Sequence, residues 1–247
     1  MTSSTPPRPI VVNVFARTDV GRTREHNEDA FVVADLTADR AELVAEVRTH
    51  TAGELGSLFM VADGMGGAAA GELASAMATE VVLKELREHW RNAPRHDGET
   101  FAAAIRAAGE EANARINAYA TKHPENRGMG STATIAGLLG DTLYLGQIGD
   151  SRGYLVRDGK ALQITRDQSL VQRLVEAGEL TAEEAESSER RNIILQALGP
   201  EPTVKVDLTH QQVKHGDVLV LCSDGLSGQV RTDEIGPVVR DEHDLVN

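Results

Sequence analysis

Three apolar runs in this sequence end on an aspartate. "FMVADG" reaches Asp63, "LGQIGD" reaches Asp150 and "VLVLCSDG" reaches Asp224. A buried strand that ends on an unpaired carboxylate is costly, because a desolvated charge needs a partner. Three such ends at one edge of a core would repel one another unless cations lay between them. The fitting cations are hard and oxygen-liganded, Mg2+ or Mn2+. Nothing offers a soft site: Cys222 is the only cysteine, and no histidine pair has zinc spacing. A fourth acidic cluster, "NEDA", puts Glu28 and Asp29 at the head of a strand, with Arg24 five residues before Asp29. Arginine beside acids either neutralises them or clamps an anion, and its planar fork suits phosphate oxygens better than lysine does. Metals plus an arginine point to a phosphoryl substrate.

Each feature has an ordinary reading when taken alone. An Asp-Gly after a strand is usually a turn. A single arginine is usually a surface charge, and Cys222 within an apolar strand reads as inert core. Gly66 and Gly67 could simply open a helix, and "GMGG" lacks the Lys-Ser/Thr ending of a phosphate-binding P-loop. The combination of all four acidic sites is what carries the chemistry.

The elements that must position these residues follow from periodicity. Strands are expected over 10–18, 29–35 and Leu58–Ala62, with "GRTREHNE" looping between the first two. The mixed, polar stretch 37–56 reads as a loop or partial helix. Two amphipathic helices follow, one on Leu73, Met77, Val81 and Leu86, the other on Phe101, Ile105, Ala108, Ala112, Ile116 and Tyr119. "HWRNAPRHDG" reads as their connection. The pattern then turns to period 2, with hairpins around Gly140-Asp141 and Asp158-Gly159. Residues 167–198 are polar and helical, with a capping box at Thr181 and Glu184. "VKVDLTH" and "DVLVLCSD" are strands, and a last helix starts near Thr232. Strands, two helices, then strands make an α+β arrangement rather than an alternating βαβ one.

The bulk properties narrow the function. The chain has 247 residues, 40% of them apolar and 26% charged, as a globular domain would. The net charge of -13 argues against nucleic acid, which would need a basic face, and suits a site that collects cations. No run approaches the roughly 20 apolar residues of a membrane span. Residues 1–9, "MTSSTPPRP", read as a disordered tail rather than a signal peptide. A lone cysteine excludes an internal disulfide and fits a reducing compartment, so the expected location is cytoplasmic. With no repeat and no linker, residues 10–247 are expected to form a single domain, and the protein a monomer.

The sequence resembles the PP2C-type (PPM) metal-dependent protein serine/threonine phosphatases, bacterial branch. The resemblance rests on "TDVGRTREHNEDAF", "VADGMGG", "GSTAT", "IGDSRGYLVRDG", "SLVQRLVEAGELT", "RRNIILQALG" and "LCSDGL", in that order from about residue 18 to 227. It implies a four-layer αββα sandwich of two antiparallel sheets flanked by helix pairs. It also implies hydrolysis of phosphoserine and phosphothreonine in proteins, the substrates of a Ser/Thr kinase. Water would attack directly at a dinuclear Mn2+ or Mg2+ centre, the ions about 4 Å apart, with no phosphoenzyme. By the same resemblance Asp63 bridges the two metals and the Gly64 carbonyl ligates the second. Glu28 and Asp29 hold the second metal through water, and Asp224 binds the first. Asp150 with Asp224 binds a third, and Arg24 holds the phosphate. Residues 167–198 match a mobile flap that influences substrate choice.

Three places depart from the family pattern. Gln168 stands in "DQS" where "DHS" is usual, and Met65 stands where some members have histidine. After "SDGL" the family reaches an Asp-Asn motif on a final strand, whereas this sequence ends at "VVRDEHDLVN". Asp241 and Asp244 lie in a helical pattern and are not assigned that ligand role. Either the chain is truncated or it is a degenerate member; truncation is the expectation, because every other motif is intact, with the last strand and one metal ligand lacking. That departure motivates an alternative from another class: a pseudophosphatase that binds phosphoproteins or a kinase without turnover. A regulatory phosphatase acting on an anti-sigma antagonist would carry the same site residues.

Overall fold

The computed structural model describes residues 9–38, 40–42, 48–242 and 245. Its strands are β1 (Val11–Val14), β2 (Asp29–Asp35), β3 (Arg40–Glu42), β4 (Arg48–Thr51), β5 (Ser57–Met65), β6 (Gly130–Ser131), β7 (Ala133–Leu139), β8 (Thr142–Ile148), β9 (Arg152–Arg157), β10 (Lys160–Gln163), β11 (Asp207–Gln212) and β12 (Val218–Cys222). The helices are α1 (Ala68–Glu85), α2 (Gly98–Lys122), α3 (Leu170–Glu176), α4 (Ala182–Ser187), α5 (Asp224–Ser227) and α6 (Thr232–Asp241).

Alternation along the strands sorts side chains into three apolar layers. On β5, Leu58, Met60 and Ala62 face one way, into a cluster with Trp90, Phe101, Ile105 and Ile116 of the helical side. Phe59 faces the other way, with Ala136, Leu138, Leu143 and Leu145, against Leu219 and Leu221 of β12 and Val12 and Val14 of β1. On the far side of β9 and β12, Tyr154, Val156 and Cys222 meet Ile235 of α6. Three apolar layers separate four layers of elements: helices, sheet, sheet, helix. This is the expected αββα order.

The large sheet runs β11-β8-β7-β5-β2-β3, with β6 paired to the end of β5. The opposite layer is divided into β10-β9-β12 and the pair β1-β4. All these pairings are antiparallel. Helices α1 and α2 pack on the large sheet, and α6 on β9 and β10. The second helical layer is uneven, since α5 has 4 residues and α6 has 10.

Both expected hairpins form. At the second, Asp158 (φ 52°) and Gly159 (φ 71°) are both left-handed, as a type I′ turn demands. Three expectations need correction. The stretch 37–56 holds strands β3 and β4 instead of a loop or partial helix: β3 turns straight back to pair with β2, and β4 pairs with β1, about 40 residues earlier in the chain; residues 39 and 43–47 lie outside the described residues. The connection after the first helix is not simply a loop. A π-helical turn, Leu86–Trp90, continues α1 and buries Trp90, whose indole N–H donates to the Leu55 carbonyl at 2.9 Å. The apolar stripe of α1 is also shifted: Ala74, Ala78 and Val82 are fully buried, while Leu73 and Met77 are only half-buried. Alanines let α1 lie close to both the sheet and α2, which the large-residue pattern could not show. The tail expected over residues 1–9 falls, apart from Pro9, outside the described residues, as does Asp244.

Candidate active site

Asp63 sits within β5, not beyond its end as the sequence pattern suggested. The strand continues because β6 pairs with Gly64 and Met65 after β7 has left at Val61. Asp63 stands opposite Asp29, the first residue of β2. Asp150 lies in the turn between β8 and β9, and Asp224 is the first residue of α5. Burial, then the charges of Asp29, Asp224 and Asp150, push the Asp63 carboxyl up to about 8. Burial, then Asp224 and Asp167, push Asp150 up to about 6 against the pull of Arg152. Four carboxylates from four elements therefore act on one another, as three strand endings and the "NEDA" strand start implied.

Glu28 and Gly64 meet at a second contact. The Gly64 N–H donates to the Glu28 carbonyl at 3.0 Å. A Cβ on Gly64 would stand 2.0 Å from the Gly71 carbonyl oxygen, and one on Gly71 would stand 1.9 Å from Glu28 Oε2. Two bare residues thus let α1 close onto β5 and leave room for the Glu28 carboxylate. Arg24 is exposed and forms no hydrogen bond or ion pair with the described residues. It rides on the loop that leads into Glu28 and Asp29.

Several residues that the sequence left without a role hold these carboxylates in place. Ser223 donates to Asp29 Oδ2 at 2.6 Å, linking β2 to the start of α5. The Asp63 N–H donates to Thr132 Oγ1 at 2.9 Å, and the Thr132 N–H donates to the Asp63 carbonyl at 2.8 Å. The buried Thr132 and Ser151 hydroxyls lie 2.7 Å apart. Thr134 and Gln147 both donate to the Ser151 carbonyl, at 3.0 and 2.7 Å. This network ties the strand of Asp63 to the turn of Asp150. "GSTAT" was the only signal for it, as a motif without an assigned task.

Gln168 stands at the start of the 167–198 segment. Its Oε1 accepts from the Gly149 N–H at 2.8 Å and from Gln196 at 2.9 Å, while its Nε2 donates to Asp207 at 2.9 Å. An amide both donates and accepts, so glutamine can satisfy all three partners. Asp167 beside it is buried and paired with Arg152 at 2.7 Å. The 167–198 segment is joined near its ends by the Ser169–Ile194 bridge and carries α3 and α4. The expected capping box at Thr181 and Glu184 is present.

The acids supply only hard oxygen donors, and their mutual repulsion favours a divalent cation among them. Among the described residues, no three acidic, histidine or cysteine side chains form a ready-made cage.

An antiparallel sandwich between helices, with such an acidic cluster at the strand ends, is the architecture of a PPM-class phosphatase. Comparison with known proteins agrees. Residues 46–245 match the protein phosphatase 2C family. The serine/threonine phosphatase Stp of Listeria welshimeri is 35% identical over 93% of this chain and 83% of its own length. The S. agalactiae serine/threonine phosphatase superposes with a TM-score of 0.81 at 30% identity, covering 96% of this chain and 88% of that one. The catalytic domain of PstP, solved with two manganese ions, gives a TM-score of 0.69 at 33% identity, with 94% and 91% coverage. The chain belongs to the protein phosphatase 2C family and is a protein serine/threonine phosphatase. Each of these relatives is named as a phosphatase, and none favours the binding-module alternative.

Proposed function

We propose that the chain hydrolyses phosphoserine and phosphothreonine in proteins at a dinuclear Mn2+ or Mg2+ site, with room for a third ion. The observation that carries this reading is the cluster of Asp63, Asp29, Asp224 and Asp150, whose burial and mutual repulsion push the Asp63 carboxyl upward and favour a cation among them. The two manganese ions of the PstP catalytic domain support it. Asp63 would bridge two ions and the Gly64 carbonyl would face the second. Glu28 and Asp29 would hold the second ion through water. Asp224 would hold the first, and Asp150 with Asp224 the third. When bound, such ions supply Lewis acidity that makes water a nucleophile near neutral pH and offsets phosphoryl charge.

The remaining work falls to the chain's own groups. Arg24 would bind the phosphate oxygens and orient the substrate. The flap would border the bound peptide. Cys222 is buried and its thiol is pushed up to about 11, so it offers no thiolate nucleophile, which supports direct attack by water. The same reading sets the enzyme against a Ser/Thr kinase, as a cytoplasmic monomer. Among the described residues no helix is long and apolar enough to cross a membrane.

The test is hydrolysis of p-nitrophenyl phosphate and a phosphothreonine peptide with Mn2+, with EDTA and with Asp63→Asn. Turnover that needs Mn2+ and disappears in Asp63→Asn is expected. Turnover that survives EDTA, or survives the substitution undiminished, would sink the proposal.

A further inference from the structure

The loop that carries Arg24 is closed by side chains. No backbone hydrogen bond among the described residues joins its two ends. Instead, Asn27 Nδ2 donates to Thr18 Oγ1 at 2.7 Å, across the neck of the loop. The other end of the same amide, Oδ1, accepts from the Asp29 N–H at 3.0 Å. Asp29 in turn accepts from Ser223 at 2.6 Å. One chain of bonds therefore runs from Thr18 through Asn27 and Asp29 to the residue before Asp224. Nearer the tip, Asp19 accepts from the Gly21 N–H at 2.9 Å and pairs with Arg17 at 2.8 Å.

Arg24 has no such anchor, so the loop conformation alone sets where its guanidinium can reach. A loop that must be ordered on binding loses entropy at that moment, whereas one closed beforehand has already lost it. We infer that Asn27 and Thr18 are a positioning pair that holds the Arg24 loop in register with the carboxylate cluster. The inference rests on Arg24 being the phosphate-binding group. Asparagine suits the position because a single amide donates at the loop neck and accepts at the strand start. Thr18 serves only the neck.

The experiment compares Thr18→Val, Asn27→Ala and Arg24→Ala, and the first two again in the Arg24→Ala background. Four quantities are read: KM for a phosphothreonine peptide, Ki for inorganic phosphate, Mn2+ affinity by calorimetry, and the rate of tryptic cleavage after Arg22 and Arg24. Thr18→Val and Asn27→Ala are expected to raise KM and Ki about three- to tenfold, the size of one or two lost hydrogen bonds. Tryptic cleavage should quicken by a similar factor, and Mn2+ affinity in Thr18→Val should stay at the wild-type value. In the Arg24→Ala background the effect on KM and Ki should vanish, since only coupled residues depart from additivity. The inference is overturned if Thr18→Val leaves KM, Ki and cleavage unchanged while Arg24→Ala raises KM and Ki. It is equally overturned if the effects persist undiminished without Arg24. If Arg24→Ala itself changes neither KM nor Ki, the phosphate-binding reading of Arg24 has failed, and the inference with it. Should Asn27→Ala fail to fold, Thr18→Val decides alone, because Thr18 has no bond to Asp29.

Discussion

A carboxyl held up to about 8 by burial and by Asp29, Asp224 and Asp150 is a source of stress in the metal-free protein. Unfolded aspartate titrates near about 4. The folded state therefore binds more protons than the unfolded state between about pH 4 and about pH 8, and stability falls as pH rises through that window. In EDTA, the melting temperature of the wild type should drop from about pH 5 to about pH 8, and Asp63→Asn should lose much of that drop. Saturating Mn2+ should reverse the drop in the wild type and not in the variant. A flat profile in the wild type would refute the account. Gly71 gives a second prediction. Alanine there would place its Cβ 1.9 Å from Glu28 Oε2. Helix propensity favours alanine by about 1 kcal/mol, so the fold should persist. The Glu28 carboxylate must move, and Mn2+ affinity measured by calorimetry should fall by about tenfold or more. Wild-type affinity in a folded Gly71→Ala would contradict the placement of Glu28. Neither prediction could come from residue types alone. Asp63, Asp150 and Asp224 were legible because each stands at an abrupt change from apolar to acidic, and Asp29 because it heads a strand in the acidic "NEDA", but Gly71 sits in an unremarkable "AAAGELA".

Elements differ in how much of their boundary is local. The hairpin at Asp158-Gly159 and the capping box of α4 are set by a few neighbouring residues, and both could be read from the sequence. Strand β4 could not, because its partner β1 lies far away in the chain. The π-helical turn to Trp90 depends on the Leu55 carbonyl that receives its indole. The capping box gives a prediction at this scale. Thr181→Ala removes the acceptor of the Glu184 N–H and should cost α4 about 1 kcal/mol. Hydrogen exchange should quicken over residues 182–187 and leave α2 unchanged. Equal exchange in both proteins would show that α4 is held by packing at Ala185, not by its cap.

At the scale of the molecule, the site depends on two sheets keeping one separation. The layer between them is small: Phe59, Ala136, Leu138, Leu143 and Leu145 from the large sheet, met by Leu219 and Leu221. Leu145→Ala should cost about 2–5 kcal/mol, by lost transfer energy and by the cavity left behind. Asp224 follows directly on β12 and Ser223, while Asp29 and Asp63 belong to the large sheet. Loosening that layer should therefore weaken Mn2+ binding as well as stability. Urea unfolding followed by the fluorescence of Trp90, the only tryptophan, would measure the first effect and calorimetry the second. A fully stable Leu145→Ala would argue against this layer as the joint. The sequence by itself determined the alternation that sorts strand faces, the turns, the helix cap and the apolar-to-acidic endings. These are local, since they follow from backbone geometry, side-chain period and desolvation within a few residues. Tertiary structure alone decided that Asp63 is continued by β6, that Gly71 makes room for Glu28, and that Ser223 locks Asp29. Each of these is a contact between residues far apart in the chain or packed against another element, and only the layered packing brings such partners within reach.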